Sequence, residues 1–148
     1  MKYTERIATK DDYDFLYLLK KRAEYQAVHT VFGWHEPLQQ ELHRQEWQQA
    51  KPMVIEVQGE RVGCYLFQNK EVDCYLGRFF LLPEFQGLGI GSQILRSCIK
   101  RAKSKPLTLC HLQGNKVHHL YKRHSFTTLR EDEHFVYMKR EPDEINDL

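Results

Sequence analysis

The sequence predicts the α/β (α+β) class: a single domain over residues 1–140, built on a mixed central sheet of about seven strands with helices on both faces. Three observations predict it. Short apolar runs of strand character dominate residues 53–82. An amphipathic helical stretch, 89–102, then lies between two strand-like runs, the order of a strand–helix–strand crossover. Two further strand-like runs close the chain before an acidic stretch, 141–148, that ends the apolar pattern and is expected to be disordered.

Taken in order, Tyr3 to Ile7 reads as a short first strand. Thr9 followed by Asp12 is a helix-start signal, and Phe15, Leu16, Leu18, Leu19 and Ala23 give a helical stripe from Asp12 to about Tyr25. Gly33 and Pro37 interrupt it, and a very polar helix follows from Pro37 to about Gln48. Met53–Val57 and Val62–Phe67 read as strands joined by a tight turn at Gly59. Val72–Leu82 is a long strand that Pro83 ends. In Gly89–Ala102, the residues Ile90, Ile94, Leu95, Cys98, Ile99 and Ala102 share one helical face. Leu107–Leu112 is a buried strand, Asn115 an N-cap for a short helix to about Arg123, and Phe126–Arg130 and His134–Lys139 are the last strands.

Composition excludes several classes. The chain of 148 residues is 41% apolar, enough for a core without disulfides or metal. A net charge of +2, spread along the chain, gives no basis for nucleic-acid or membrane partners. Met1 to Lys10 has no signal-like apolar run and no stretch is long enough to span a bilayer, so the cytoplasm is the expected compartment. Cys64, Cys74, Cys98 and Cys110 read as buried free thiols; a Cys64–Cys74 bond would need the hairpin between them to turn around Asn69. No pair among the eight histidines shows a zinc spacing with a third ligand, so no metal is expected.

The most informative stretch is Leu81-Leu82-Pro83-Glu84-Phe85-Gln86-Gly87-Leu88-Gly89-Ile90-Gly91-Ser92. A strand runs into a loop with glycine at every second position, and an amphipathic helix follows at once. The first turn of a helix has backbone N–H groups without internal partners and partial positive charge, and glycines let a phosphate approach them. The pattern suggests a pyrophosphate held by backbone from Gly87 to Ser92, without a lysine. A Walker loop would need Gly-Lys-Ser/Thr where Ile90-Gly91-Ser92 stands, and a dinucleotide fingerprint a further glycine.

Gln86-x-x-Gly89-x-Gly91 resembles the acetyl-CoA motif of the GCN5-related N-acetyltransferase (GNAT) superfamily. Leu81-Leu82-Pro83 resembles the strand end that precedes this motif there, and Asn115, Tyr121 and Phe126 keep the register of a downstream Asn-x-x-Ala-x-x-x-Tyr-x-x-x-Gly-Phe. Two positions depart: His118 stands in place of the alanine and Ser125 in place of the glycine. The resemblance implies a mixed, mostly antiparallel sheet flanked by four helices, with acetyl-CoA as co-substrate. It implies that Phe79, Phe80 and Leu81 offer backbone to the pantetheine and the acetyl carbonyl, on a strand that splays at a bulge. It further implies that Gln86, Gly87, Leu88, Gly89, Ile90, Gly91 and Ser92 form the pyrophosphate loop. Asn115 would bond the pantetheine arm and Tyr121 lie near the sulfur.

Acetyl transfer to an amine needs a neutral amine, a stabilised oxyanion and a leaving thiolate. Tyr121 suits a hydrogen bond to the leaving sulfur; it equally suits packing beside Phe126. His111 shares a strand face with Leu107 and Leu109, which fits a satisfied core histidine or a base. Trp34 and Glu36 lie where this superfamily builds its acceptor site, and an aromatic beside a carboxylate suits a cationic amine; the segment equally reads as a polar helix start with a packed tryptophan. The expected function is therefore an N-acetyltransferase acting on a small-molecule or peptide amine. A non-catalytic acyl-CoA sensor or a partner-binding domain on the same fold are the alternatives. Aromatics near Trp34 would serve an acceptor pocket or a homodimer surface equally.

Overall fold

The structure, a computed structural model, describes residues 1–143. Its elements are β1 (Thr4–Ile7), a 3₁₀ turn (Lys10–Asp12), α1 (Tyr13–Val31), α2 (Glu36–Gln49), β2 (Met53–Val57), β3 (Glu60–Asn69), β4 (Cys74–Leu81), a second 3₁₀ turn (Pro83–Phe85), α3 (Ile90–Ala102), β5 (Leu107–Leu112), α4 (Val117–Arg123), β6 (Thr127–Glu131) and β7 (Phe135–Arg140). Among the described residues the strands form one sheet in the order β1-β2-β3-β4-β5-β7-β6. β4 and β5 run parallel, whereas β1/β2, β2/β3, β5/β7 and β6/β7 are antiparallel. This is the mixed, mostly antiparallel sheet with four helices that the sequence leads one to expect. Of the stretch expected to be disordered, 144–148 lies outside the described residues.

The chain falls into two compact units that interleave in sequence: residues 1–66 with 78–91, and 67–77 with 92 onward. In the first, β1, β2 and β3 pair as Glu5↔Ile55 and Val54↔Cys64. The β2–β3 turn puts Gln58 at φ 51° and Gly59 at φ 80°, two successive left-handed residues, as a two-residue hairpin turn requires. Ala8, Leu16, Leu19, Val54 and Cys64 form its core, with Phe15, Trp47, Phe80 and Leu82 against it. Asp12 is 1% exposed. It takes both Arg6 guanidinium nitrogens at 2.8 and 2.9 Å, Arg61 Nη1 at 3.2 Å and the Thr9 backbone N–H at 2.8 Å. The Thr9 signal therefore marks a 3₁₀ turn that leads into α1. That helix continues past Tyr25 to Val31. It stops where Gly33, at φ 76°, donates its N–H to His29 O, a left-handed C-terminal cap.

In the second unit β4 begins beside β5 (Cys74↔Leu107, Tyr75↔Thr108), and β5 pairs with β7 along its whole length. Leu107, Leu109, Val136 and Met138 are buried, as are Ile94, Leu95, Cys98 and Ala102 of α3. Each such leucine or isoleucine contributes about 1.5–3 kcal/mol. The hairpin between β3 and β4 turns across Lys70–Asp73, where Lys70 N–H donates to Asp73 O at 3.0 Å. The turn is centred beyond Asn69, and this registers Cys64 with Arg78: Cys64 Sγ donates to Arg78 O at 3.1 Å. Cys74 Sγ instead donates to Asn69 Oδ1 at 3.5 Å. All four cysteines are free, and Cys110 is half-exposed rather than buried.

Candidate active site

The loop after β4 is built by its own backbone. Leu82 N–H donates to Val62 O at 2.8 Å, and Phe85 and Gln86 N–H donate back to Leu82 and Pro83 to close the 3₁₀ turn. Gln86 Nε2 donates to Leu81 O at 2.9 Å, so this side chain clips the loop to the strand end. Gly87 and Gly89 stand at φ 75° and φ 89°, where a side chain is strained, and a Cβ on Gly87 would meet nothing within 4 Å. Leu88 is exposed between them. α3 starts at Ile90, with no acidic residue in its first turn and Lys100 and Arg101 in its last. The N–H groups of that first turn lie beyond the helix's own hydrogen bonding, with the positive end of the macrodipole. The carboxylate nearest in sequence, Glu84, is drawn off by Arg22 of α1 at 2.6 and 3.0 Å.

β4 carries a left-handed residue in mid-strand, Arg78 at φ 47°. An arginine there is strained, and three contacts hold it. Arg78 Nη1 donates to Ala50 O at 3.0 Å, Nε lies 3.5 Å from Glu46, and its carbonyl accepts from Cys64. Downstream, Phe79, Phe80 and Leu81 are half-buried. Gly63 on β3 leaves room for them: a Cβ there would lie 2.6 Å from Phe80 O and from the Leu81 side chain. Beside Arg78, Lys20, His43, Glu46, Trp47 and Phe80 line a small cleft. Lys20 Nζ binds Glu46 at 3.0 Å. His43 Nε2 bonds Tyr13 O at 2.8 Å, and burial pushes its pKa below the ordinary imidazole value. Sequence reading did not single out Lys20, His43, Glu46 or Arg78, which come together only through contacts remote in sequence.

Trp34 and Glu36 do come together at the start of α2. Glu36 accepts from Tyr17 at 2.5 Å, Lys21 at 2.9 Å and Trp34 Nε1 at 2.7 Å. The Tyr17 hydroxyl, then Lys21 and the indole, hold its pKa down at about 2. Lys21 Nζ lies 5.8 Å from the Trp34 ring centroid. The aromatic-plus-carboxylate arrangement thus already holds a cation, supplied by the chain itself.

In the second unit, Gly114 at φ 78° turns the chain, and Asn115 Oδ1 accepts the Val117 N–H at 3.0 Å, an Asx turn one residue ahead of the N-cap position, which Lys116 holds rather than the expected Asn115. Tyr121 is buried, its ring 6.0 Å from that of His111 and 5.7 Å from Phe126. His111 is buried and bonded at both nitrogens: Nδ1 to Leu112 O and Nε2 to His118 Nδ1, each at 2.9 Å. Burial pushes its pKa below the ordinary value. It is a satisfied core histidine, and its partner is the residue that departs from the family's alanine. Ser125, which departs from the glycine, sits at φ 70°. Its N–H donates to Lys122 O and that of Phe126 to Tyr121 O, the two bonds of a Schellman cap. Among the described residues no group of three or more His, Cys, Asp or Glu is placed to hold a metal, and no helix is long and apolar enough to cross a membrane.

The fold is similar to that of PaiA N-acetyltransferase from Thermoplasma acidophilum in complex with coenzyme A (TM-score 0.75, 16% identity, 95% of this chain and 99% of that one). It is similar also to ribosomal-protein-S18-alanine N-acetyltransferase from Escherichia coli (0.69, 14%, 99% and 97%). A third relative in fold is yncA, a putative acetyltransferase from Salmonella typhimurium with its cofactor acetyl-CoA (0.62, 16%, 100% and 98%). No curated protein sequence matches. The family model of the acetyltransferase (GNAT) family matches residues 13–126, most of the chain, and the protein belongs to that family of acyltransferases.

Proposed function

We propose that the protein transfers an acetyl group from acetyl-CoA to a primary amine by direct attack in a ternary complex. The observation that carries this reading is the loop 86–92: two left-handed glycines deliver the chain into a helix start that has no acidic residue in its first turn. Such a cradle fits a pyrophosphate, whose charge meets backbone N–H groups and the helix dipole. Gly87 to Ser92 hold it in this reading, with Gln86 fixing the loop. Backbone groups of Phe79, Phe80 and Leu81 take the pantetheine and the acetyl carbonyl, directly after the left-handed Arg78. Asn115 bonds the pantetheine arm and Tyr121 lies near the sulfur.

The chemistry follows from reference acidities. An alkyl amine near pKa 10.4 is neutral in about one molecule of a few thousand at pH 7, so attack needs the free base. A phenol near 10 is a weaker acid than a thiol near 8.5, so full proton transfer from Tyr121 to the thiolate is uphill by about 2 kcal/mol. Tyr121 therefore donates a hydrogen bond to the leaving sulfur. Trp34 and Glu36 are proposed as acceptor contacts, where Lys21 Nζ now occupies the acceptor cation's place.

The test is free-thiol release with acetyl-CoA and a panel of small amines, polyamines and peptide amines. An acceptor should appear, and Tyr121→Phe should lower kcat about ten- to a hundredfold with little change in KM for acetyl-CoA. Undiminished kcat in that variant would remove Tyr121 from the chemistry.

A further inference from the structure

The two histidines of the second unit define a proton position. His111 Nδ1 lies 2.9 Å from a carbonyl, Leu112 O, and can only donate to it. With its charged form disfavoured by burial, His111 is neutral, so its Nε2 is an acceptor. The 2.9 Å contact from His118 Nδ1 to that nitrogen must then be an N–H donated by His118. The chain of bonds runs from His118 through His111 to the Leu112 carbonyl, and it leaves His118 Nε2 as the one nitrogen of the pair outside it. Whether His118 is neutral or protonated, its Nδ1–H stays bonded to His111. Nε2 can therefore gain or lose a proton without any rearrangement. His118 is half-exposed, His111 buried.

The placement is also specific. Asn115, His118 and Tyr121 are spaced three apart, one face of α4 and its capping turn. The His111 ring touches both His118 (5.0 Å) and Tyr121 (6.0 Å). The titratable groups against the pair are those two residues' own rings, Tyr121, and His119, 6.1 Å from His118 on the same helix. Among the described residues no carboxylate is paired with either imidazole.

We infer that His118 Nε2 is the proton carrier of acyl transfer and that His111 is its positioning residue. The inference rests on the acetyl-CoA reading above. The neutral amine nitrogen forms the bond to the thioester carbonyl carbon, and the C–S bond breaks with its electron pair on sulfur. The proton shed by nitrogen passes to His118 Nε2 and from there to the thiolate, while Tyr121 keeps its own proton and donates a hydrogen bond to that sulfur. An imidazolium, reference pKa about 6.5, gives a proton to a thiolate of about 8.5 downhill, which a phenol does not.

The test needs no acceptor. Acetyl-CoA and CoA binding are measured by calorimetry for the wild type, His118→Ala, His118→Gln and His111→Phe, with thermal melting to confirm folding. The thiol of bound CoA is then titrated by thiolate absorbance. Because His118 Nε2 can take the thiol proton, the wild type should show at least about twofold more thiolate absorbance near pH 7 than either His118 variant. His111→Phe should fall between, and the two His118 variants, at a half-exposed position, cover the case in which the His111 variant fails to fold. Long-range 1H–15N spectra should show His118 as the Nδ1–H tautomer. CoA binding with identical thiol titration in all four proteins would overturn this inference and leave the acetyl-CoA reading standing; failure of the wild type to bind either ligand would overturn both.

Discussion

Two helix starts in this protein present opposite solutions to the same electrostatic problem. At the start of α2, Glu36 places a carboxylate on the helix dipole, and Tyr17, Lys21 and Trp34 surround it. At the start of α3, left-handed glycines take the place of side chains and no acid follows. The first is neutralised from within the chain; the second is where we propose that a charge from outside binds. Residue types alone mark both as ligand positions. Packing separates them, because a cation at Trp34–Glu36 must displace a lysine that already sits there. The start of α1 is a third case: Asp12 is buried and bonded to two arginines, a purely structural use of the same charge.

Substitutions can break that comparison, beginning with the largest effect. Asp12→Ala should cost about 2–4 kcal/mol by denaturant unfolding, since it removes the buried ion pairs to Arg6 and Arg61 and the Thr9 bond. The arginine partners hold the Asp12 carboxyl well below its ordinary value. A depressed carboxylate contributes stability that is present above the unfolded value near 3.9 and is lost as pH falls toward the folded value. The wild type should therefore lose stability below about pH 4, and Asp12→Ala should lose less over the same range.

Gly63→Ala should cost about 1–3 kcal/mol, because its Cβ would meet a backbone carbonyl, Phe80 O, at 2.6 Å. It should also weaken acetyl-CoA binding if Phe79–Leu81 hold the pantetheine, a result that Asp12→Ala should not give at temperatures where that variant is folded. Ser125→Gly, at φ 70°, should stabilise by roughly 0.5–1 kcal/mol by relieving a left-handed serine. The smallest effect belongs to Glu36→Gln: melting should stay within experimental scatter and acetyl-CoA affinity within about twofold, since a screened surface cluster contributes little.

What the sequence made legible is what local chemistry dictates. The strands Met53–Val57 and Leu107–Leu112 lie where their apolar patterns put them, and the glycine loop opens a helix as its spacing implies. Asn115 turns the chain into α4 through its bond to the Val117 N–H, one residue before the N-cap that its position suggested. The illegible features depend on partners remote in sequence. Nothing around Arg78 predicts a left-handed residue; the conformation is held by Glu46, Ala50 and Cys64. The extension of α1 to Val31 depends on a cap at Gly33 that a stripe of leucines does not reveal. His111 and His118 look unrelated in sequence, and only the folding of α4 against β5 makes them one hydrogen-bonded pair. Lys21, which fills the Trp34–Glu36 cluster, arrives from mid-helix in α1.

The most direct test of the central claim is calorimetric titration of the folded protein with acetyl-CoA, repeated with Gly89→Glu, which adds bulk and negative charge where the pyrophosphate is proposed to lie. The account predicts binding by the wild type and a loss of about a hundredfold or more in a variant that still folds. Wild-type protein that binds neither acetyl-CoA nor longer acyl-CoAs, or a folded Gly89→Glu that binds as tightly as wild type, would contradict it.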